Sequence, residues 1–340
     1  MSATAIAAPR KPASRRTAGL LLGLVLLVLV VLASLAVGAK QISLDHVWSG
    51  LFDPAGTKDD AIIRELRLPR TLIGAASGAA LGIAGGVMQT LLRNPLADPG
   101  LLGVNAGASA AVVTAISVLG IGSFHGYLWF ALGGAAAATV LVIALGGSRA
   151  ATPVRLALAG TAANAALFGY VNGLQLFDLE ALDAMRHWSV GTIANRDPAL
   201  LTAVLPLLVA GGLLSFALSR SLGALAMGDD SARALGAVPA RTRALSIVAI
   251  TLLCGGATAV CGPIGFVGLM IPHAVRAFCG PDPRWLLPYC ALYAPVLVLG
   301  CDVIGRVVMS PAEVEVGIVT ALFGGLIFIY LVRQRKVARL

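Results

Sequence analysis

Polar and apolar positions are strongly segregated along the chain. Long runs without charge alternate with short polar connections. Each long run approaches or exceeds the roughly 20 helical residues that cross a hydrocarbon core. The runs show no two-residue alternation, which a membrane-spanning barrel built from strands of about ten residues would require. A helix satisfies its own backbone polar groups in lipid, so the pattern predicts an all-α integral membrane bundle. Ten spans are expected, at 17–38, 70–92, 100–119, 127–147, 153–175, 198–218, 241–261, 264–277, 285–307 and 315–332. The first is uncharged from Ala18 to Val37, longer than a signal-peptide core, and is read as an anchor. The eighth is short. Pro263 and Gly265 precede it and Pro272 interrupts it, which predicts a broken or partial span enclosed by protein.

Composition sharpens this picture. The 340 residues are 58% hydrophobic and 12% charged, with a mean hydropathy of +0.90, whereas soluble domains carry about 25% charged residues. The net charge of +9 is spread over short connections and both termini, which argues against a nucleic-acid partner and for the positive-inside rule. With the N-terminus placed inside, the inner connections hold most of the Lys and Arg, including Arg10, Lys11, Arg15, Arg16, Arg333, Arg335, Lys336 and Arg339. Their only acids are Asp98, Asp229, Asp230 and Asp282. Both termini are therefore expected in the cytoplasm, which requires an even number of spans. The expected organisation is a basic cytoplasmic N-terminus at 1–16, one polytopic domain at 17–335 and a cytoplasmic tail at 336–340. Connections 39–69 and 176–197 fall outside, the latter carrying a short surface helix around Arg186, His187 and Trp188. Connection 219–240 falls inside.

Candidate chemistry narrows the function by exclusion. Lys11, Lys40, Lys58 and Lys336 are the only lysines, and none stands in a G-K-[ST] context, so no phosphate-binding loop is present. No metal-ligand pattern or nucleophile motif appears either, which leaves no basis for an enzyme. Cys254, Cys261, Cys279, Cys290 and Cys301 form no C-x-x-C pair and read as packed thiols. Ion-driven transport needs ionisable groups in the membrane, and spans two to eight have almost none at their centres. Asp302 is the deepest acid, and Arg306 four residues later would sit beside it as a local ion pair. Work done by this chain would have to be supplied by another subunit.

Three patterns are candidate sites. Residues 226–241 read AMGDDSARALGAVPAR. Asp229 or Asp230 can cap a short helix, since an acid suits its positive N-terminal end, Gly236 can end it and Pro239 prevents its continuation. That helix is either a contact for a partner or an ordinary solvated loop. On span two, Gly74, Gly78, Gly82 and Gly86 recur every four residues and offer a bare stripe for a close neighbour. On span five, Thr161, Asn164, Phe168, Asn172 and Gln175 share one narrow face at 3.6 residues per turn. An amide facing lipid is costly, so this face either bonds a neighbouring helix or lines a polar path.

Long segments then carry a family resemblance. LRLPRTLIGAASGAALGIAGGVMQTLLRNPLADPGLLGVNAGAS at 66–109, GDDSARALG at 228–236, GPIGFVGLMIPHAVR at 262–276 and EVEVGIVTALFGG at 313–325 resemble the FecCD-type permeases. Those permeases import iron–siderophores, haem and cobalamin. The likeness runs in order from about residue 40 to residue 335. It implies ten helices per subunit and a pair of permeases, identical or homologous, in a prokaryotic cell membrane. Two cytoplasmic ABC ATPases and an extracytoplasmic substrate-binding protein, periplasmic or lipoprotein, would complete the importer. The resemblance makes Met227, Gly228, Asp229, Asp230, Ser231, Ala232, Arg233, Leu235 and Gly236 the element that couples to the ATPase. It places part of the path on the fifth helix, and it makes Arg67, Arg70 and Arg306 the arginines that dock the binding protein. Arg suits that task because it pairs bidentately with carboxylates; the alternative is snorkelling to lipid phosphates. EVEVG, with Glu315, leans toward iron–siderophore members, while Leu326 stands where the family usually has Pro. His273 is expected to be structural. The chelate would cross whole, so no cofactor or metal is expected on this chain, and ATP would be used by the partner subunit. The competing readings are haem or cobalamin as cargo and, from another class, an ion-coupled secondary transporter.

Overall fold

A computed structural model of the chain describes residues 13–147 and 153–333. Most of the expected 1–16 segment, the 336–340 tail and the residues Arg10, Lys11, Arg335, Lys336 and Arg339 lie outside the described residues. Every regular element among the described residues is helical. The helices are α1 (Ala13–Ala36), α2 (Leu44–Phe52), α3 (Lys58–Ala61), α4 (Leu68–Leu91), α5 (Val104–Ser117), α6 (Phe124–Gly146), α7 (Pro153–Phe177) and α8 (Leu179–Trp188), followed by α9 (Pro198–Ala217), α10 (Ser219–Ala226), α11 (Asp229–Ala234), α12 (Pro239–Cys261), α13 (Val267–Cys279), α14 (Pro283–Val308) and α15 (Val316–Arg333). Seven are long and apolar enough to cross a membrane, and α5, α13 and α15 supply three shorter apolar helices. The protein is thus an all-α, multi-pass membrane bundle, as the hydropathy predicts.

The expected boundaries need four corrections. Residues 58–69 are not loop: α3 runs through a π-helical stretch, Ile62–Arg67, directly into α4, so the second span is one helix of 34 residues. Span three begins with a 3-10 turn, Pro99–Leu102, followed by only 14 residues of α-helix. Pro272 does not interrupt span eight, because α13 continues through it. The irregular backbone lies instead in the link 262–266, where Phe266 has a left-handed φ of 66°. Pro239 does not merely block α11: it is in the first turn of α12, where a missing N–H costs nothing.

The core is organised on α4, which packs along α14, α12 and α13. Its glycine stripe makes that approach possible. A Cβ on Gly78 would stand 2.9 Å from the Pro295 Cα, and one on Gly82 would stand 2.7 Å from the Cys290 carbonyl oxygen. α5, α6 and α7 form a second group joined to the first through α12.

Connections close the bundle at two ends. At one end, the Thr192 N–H donates to the Cys261 carbonyl, Gly317 N–H to Gly191 and Val314 N–H to Gly305. Lys40, α2, α3 and α8 belong to this end, called the α2 end. At the other, the Tyr289 hydroxyl donates to the Arg16 carbonyl and α10 packs on the start of α14. α1 therefore begins at the α11 end, and α15 finishes there. α8 confirms a helix in connection 176–197, with Asp178 capping it through the Glu180 and Ala181 N–H groups. Trp188 is not a surface residue, however, but fully buried.

Candidate functional site

The five residues expected to share a face of α7 lie on a helix that the rest of the chain leaves largely uncovered. Thr161, Phe168 and Asn172 are exposed, and Asn164 and Gln175 are half-buried. Thr161 satisfies its hydroxyl on the Ala157 carbonyl one turn earlier. The Asn164 side chain donates to the Gly100 carbonyl at 2.9 Å, bracing α7 against the 3-10 turn. Only Asn164, therefore, follows the interhelical-bonding reading. The rest of the stripe, with Phe168 at 45% exposure, presents amide, hydroxyl and ring surface away from the subunit. Near the α11 end of α7, a cleft of about 470 Å³ opens between α6 and α7, lined by Leu145, Arg155, Leu158 and Ala162 among others.

At the α11 end, residues 226–238 form a platform rather than a loose loop. α10 precedes α11, an element that the hydrophobic pattern had not distinguished. The expected acidic cap is absent. The residue ahead of α11 is Gly228, at φ 113° and ψ 157°, and no side chain caps the helix. Asp229 is instead the anchor of the platform. Its carboxylate accepts from Arg243 Nη2 at 2.7 and 2.8 Å and from Arg93 Nη2 at 2.8 Å. Hydrogen bonding from Arg243, seconded by Arg93, holds this carboxyl below the usual carboxylate range. One acid thus ties α11 to the end of α4 and the start of α12. Asp230 stays in solvent and pairs with Arg233 at 2.9 Å. The expected stop at Gly236 is present. Its φ of 80°, the Gly236 N–H to Arg233 bond and the Ala237 N–H to Ala232 bond together make a Schellman ending. Ala232 is buried beneath α11, while Met227, Leu235 and Val238 are exposed apolar side chains around it. Arg93 and Arg243 were not legible as site residues, because nothing local in the sequence pairs them with Asp229.

The three arginines expected to dock a partner gather at the α2 end, but they are turned inward. Arg67 Nη1 donates to the Leu35 carbonyl at 2.6 Å, and its other amino group donates to the Lys40 carbonyl. Arg306 donates to the Ser34 and Val37 carbonyls and the Ser34 hydroxyl, each at 2.9 Å, and pairs with Asp302 at 2.9 Å. These two guanidiniums thereby cap the otherwise unpaired carbonyls at the end of α1. Arg70 clamps Asp302 through Nε and Nη2 at 2.7–3.1 Å, and its Nη1 meets Glu313 at 2.7 Å. Arg67 and Arg306 are buried; Arg70 is 13% exposed at the side chain, and its partner Glu313 is 37% exposed. The Asp302–Arg306 pair is present as expected, enlarged into a network across α1, α4 and α14. In this subunit the Arg67 and Arg306 guanidiniums are buried and committed to helix-end carbonyls, and of the three only Arg70 keeps a partly exposed side chain.

Among the described residues, no group of three or more His, Cys, Asp or Glu could hold a metal ion. The five cysteines are free and buried. A lipid-embedded bundle with an uncovered polar helix face at its side and a braced platform at one end has the form of a transport permease. Residues 26–334 match the FecCD transport family, and the chain belongs to that family of ABC-transporter permeases. It is 45% identical over 317 residues to the ferric enterobactin transport system permease FepD of Escherichia coli (strain K12), covering 92% of this chain and 94% of that protein. It is 37% identical over 327 residues to the Fe(3+)-citrate import system permease YfmD of Bacillus subtilis (strain 168), covering 96% and 98%. A solved structure described as an inward-facing metal-chelate-type ABC transporter superposes with a TM-score of 0.82 at 27% identity, covering 94% of this chain and 99% of that one.

Proposed function

We propose that this permease carries a ferric siderophore inward by alternating access, paired with a second permease subunit, identical or homologous. The α11 end faces the cytoplasm, where ABC ATPases seat on Met227, Leu235 and Val238 and on the exposed Asp230 and Arg233. The α2 end faces an extracytoplasmic binding protein in a prokaryotic cell membrane. The observation that carries this reading is the uncovered stripe on α7. Amides and hydroxyls exposed along a membrane helix need water, cargo or a second subunit opposite them. A path walled by Thr161, Phe168, Asn172 and Gln175 would pass a polar chelate without holding it tightly, and no cofactor or metal resident on this chain is required.

The platform supports ATP coupling in physical terms. Closure of an ATPase pair beneath α11 would push on Met227, Leu235 and Val238, and Asp229 would carry the displacement into both α4 and α12. Docking at the α2 end falls to Arg70, whose Nη1 can exchange the exposed Glu313 for a partner carboxylate. Arg67 and Arg306 hold the end of α1 in place beneath that contact. The iron–chelate relatives and the EVEVG segment favour siderophore over haem or cobalamin.

The test is uptake into proteoliposomes containing the permease, its ATPase and its binding protein. Labelled ferric catecholate and ferric citrate, hemin and cobalamin are offered in parallel. ATP-dependent accumulation of an iron chelate alone is expected. Accumulation without the ATPase that collapses on adding a protonophore would overturn the ABC reading in favour of ion coupling. Selective uptake of hemin or cobalamin would reassign the cargo.

A further inference from the structure

Helix α2 carries an apolar flank that no part of the described chain covers. Leu44, Trp48 and Phe52 recur every four residues along it and are 57%, 68% and 67% exposed. The Trp48 and Phe52 rings lie 4.5 Å apart, so they form one surface. The opposite side is packed. Val47 and Gly50 are buried, and Val47 joins Leu35, Ile42 and Ile63 in a small core of its own. The remaining side is polar, with Asp45, His46 and Ser49, and His46 lies 3.7 Å from Asp59. The helix therefore has three faces: one packed, one polar and one bare and aromatic.

What lies beside the bare face follows from continuity with the lipid surface. The Ile42 N–H, two residues ahead of α2, donates to the Ala36 carbonyl at the end of α1. α1 exposes Leu21, Leu22, Leu24, Val25, Val28, Leu29 and Leu32, the surface that a membrane-spanning helix turns to acyl chains. The same end of the neighbouring long helix exposes Leu66 and Leu72. The apolar exterior of the bundle thus runs from α1 onto α2. We propose that α2 is an in-plane interfacial helix, with Leu44, Trp48 and Phe52 seated in the headgroup–acyl boundary of the bilayer at the α2 end.

The geometry sets the orientation. A nine-residue helix is about 13.5 Å long, and the three side chains span nearly all of it. They share one depth only when the helix axis lies close to the membrane plane. Interfacial helices bury their apolar face about 5–10 Å into that boundary, and Trp favours it because its ring is apolar and its N–H is wet. The polar side with Asp45 and His46 is left toward water. A consequence follows for the arginine cluster. Arg67 bonds the Lys40 carbonyl in the link to α2, so lipid contact at α2 would fix that link, and the cluster with it, at a set height.

The experiment is depth-dependent quenching of Trp fluorescence in nanodiscs, comparing the protein with Trp48→Phe. The emission missing from Trp48→Phe is assigned to Trp48. That component should be quenched more by lipids brominated near the glycerol than near the methyl end, and little by aqueous iodide. Phe52→Trp in the Trp48→Phe background should give the same pattern from a second position, independent of any effect of Trp48 on folding. Strong iodide quenching with no bromine effect at both positions would overturn the proposal. So would shielding from iodide that appears only on adding the substrate-binding protein, which would make the flank a protein contact.

Discussion

Replacing Asp302 by Asn removes one negative charge and almost no volume. In the folded chain the Asp302 carboxylate is 1% exposed and receives Arg70 and Arg306 together. Three guanidiniums, from Arg67, Arg70 and Arg306, meet two carboxylates there, from Asp302 and Glu313, so the cluster already holds one excess positive charge. Asp302→Asn raises that excess to two in a space closed to water. Removing one partner of a buried pair costs about 3–5 kcal/mol, because the surviving charge stays buried. The Asn oxygen still accepts one hydrogen bond, but its amide group points a donor at a guanidinium, so a loss of about 3 kcal/mol is expected. At about 1.4 kcal/mol per decade, this is roughly two decades in the folding equilibrium. The assay is the midpoint of unfolding by dodecyl sulfate in mixed micelles, followed by helical circular dichroism. Glu313→Gln is the comparison. Glu313 is 37% exposed, and solvent-screened pairs contribute about 0–1 kcal/mol. A second check is the double variant Asp302→Asn with Arg306→Gln, which should lose less than the sum of its parts, since the two residues are in direct contact. Equal losses for Asp302→Asn and Glu313→Gln would refute the reasoning, showing the cluster to be hydrated rather than sealed.

The remaining predictions address the other elements. Asp229→Asn should loosen α11 without unfolding the bundle, read as faster amide exchange at 229–236 and lower ATP-driven uptake. Because the Asp229 carboxyl is held below its ordinary value, its contribution is present above the unfolded value of about 3.9. It is lost only as pH falls through the lower folded value; the protection factor at α11, which is exchange corrected for its intrinsic pH dependence, should therefore stay constant from neutral pH to about pH 4 and fall below it. Asn164→Ala removes the bond to Gly100 and should cost about 0.5–1.5 kcal/mol of stability, whereas Asn172→Leu, on the uncovered face, should slow uptake with little change in the unfolding midpoint. Gly82→Val drives a side chain into the Cys290 carbonyl and should cost about 1–3 kcal/mol or more, seen as a lower midpoint and poor assembly. Arg70→Ala should weaken binding-protein affinity and, because it strips a partner from buried Asp302, lower stability as well, while Arg67→Ala should lower stability alone.

The division between what was legible and what was not follows range along the chain. The glycine stripe of α4 could be read because four residues on one helix face need only helical periodicity to be recognised, but that the close neighbour is α14 was decided by the packing. The α7 stripe was legible for the same reason. Its two readings separated only in three dimensions, where Asn164 turned out to bond Gly100 and its neighbours to face outward. The Gly236 stop was legible because a left-handed glycine at a helix end is a local signal. The Asp229 cap was wrong because a better partner lay elsewhere: two arginines from other helices outbid backbone N–H groups for the same carboxylate.

The docking arginines show the limit most sharply. Their positions at span ends are a matter of sequence, but whether a guanidinium at a span end points to water, to lipid phosphate or into the bundle depends on where the end of α1 comes to rest. By itself the sequence determined that this is a lipid-embedded helical permease with ten apolar segments. It could do so because lipid offers backbone groups no partners, so each segment must satisfy itself locally and hydropathy becomes readable along one dimension. Only the tertiary structure decided which charges face one another, which turn inward and which helix face is left bare. Those outcomes are set by contacts between residues far apart in the chain, whose energies exist only once the helices have packed.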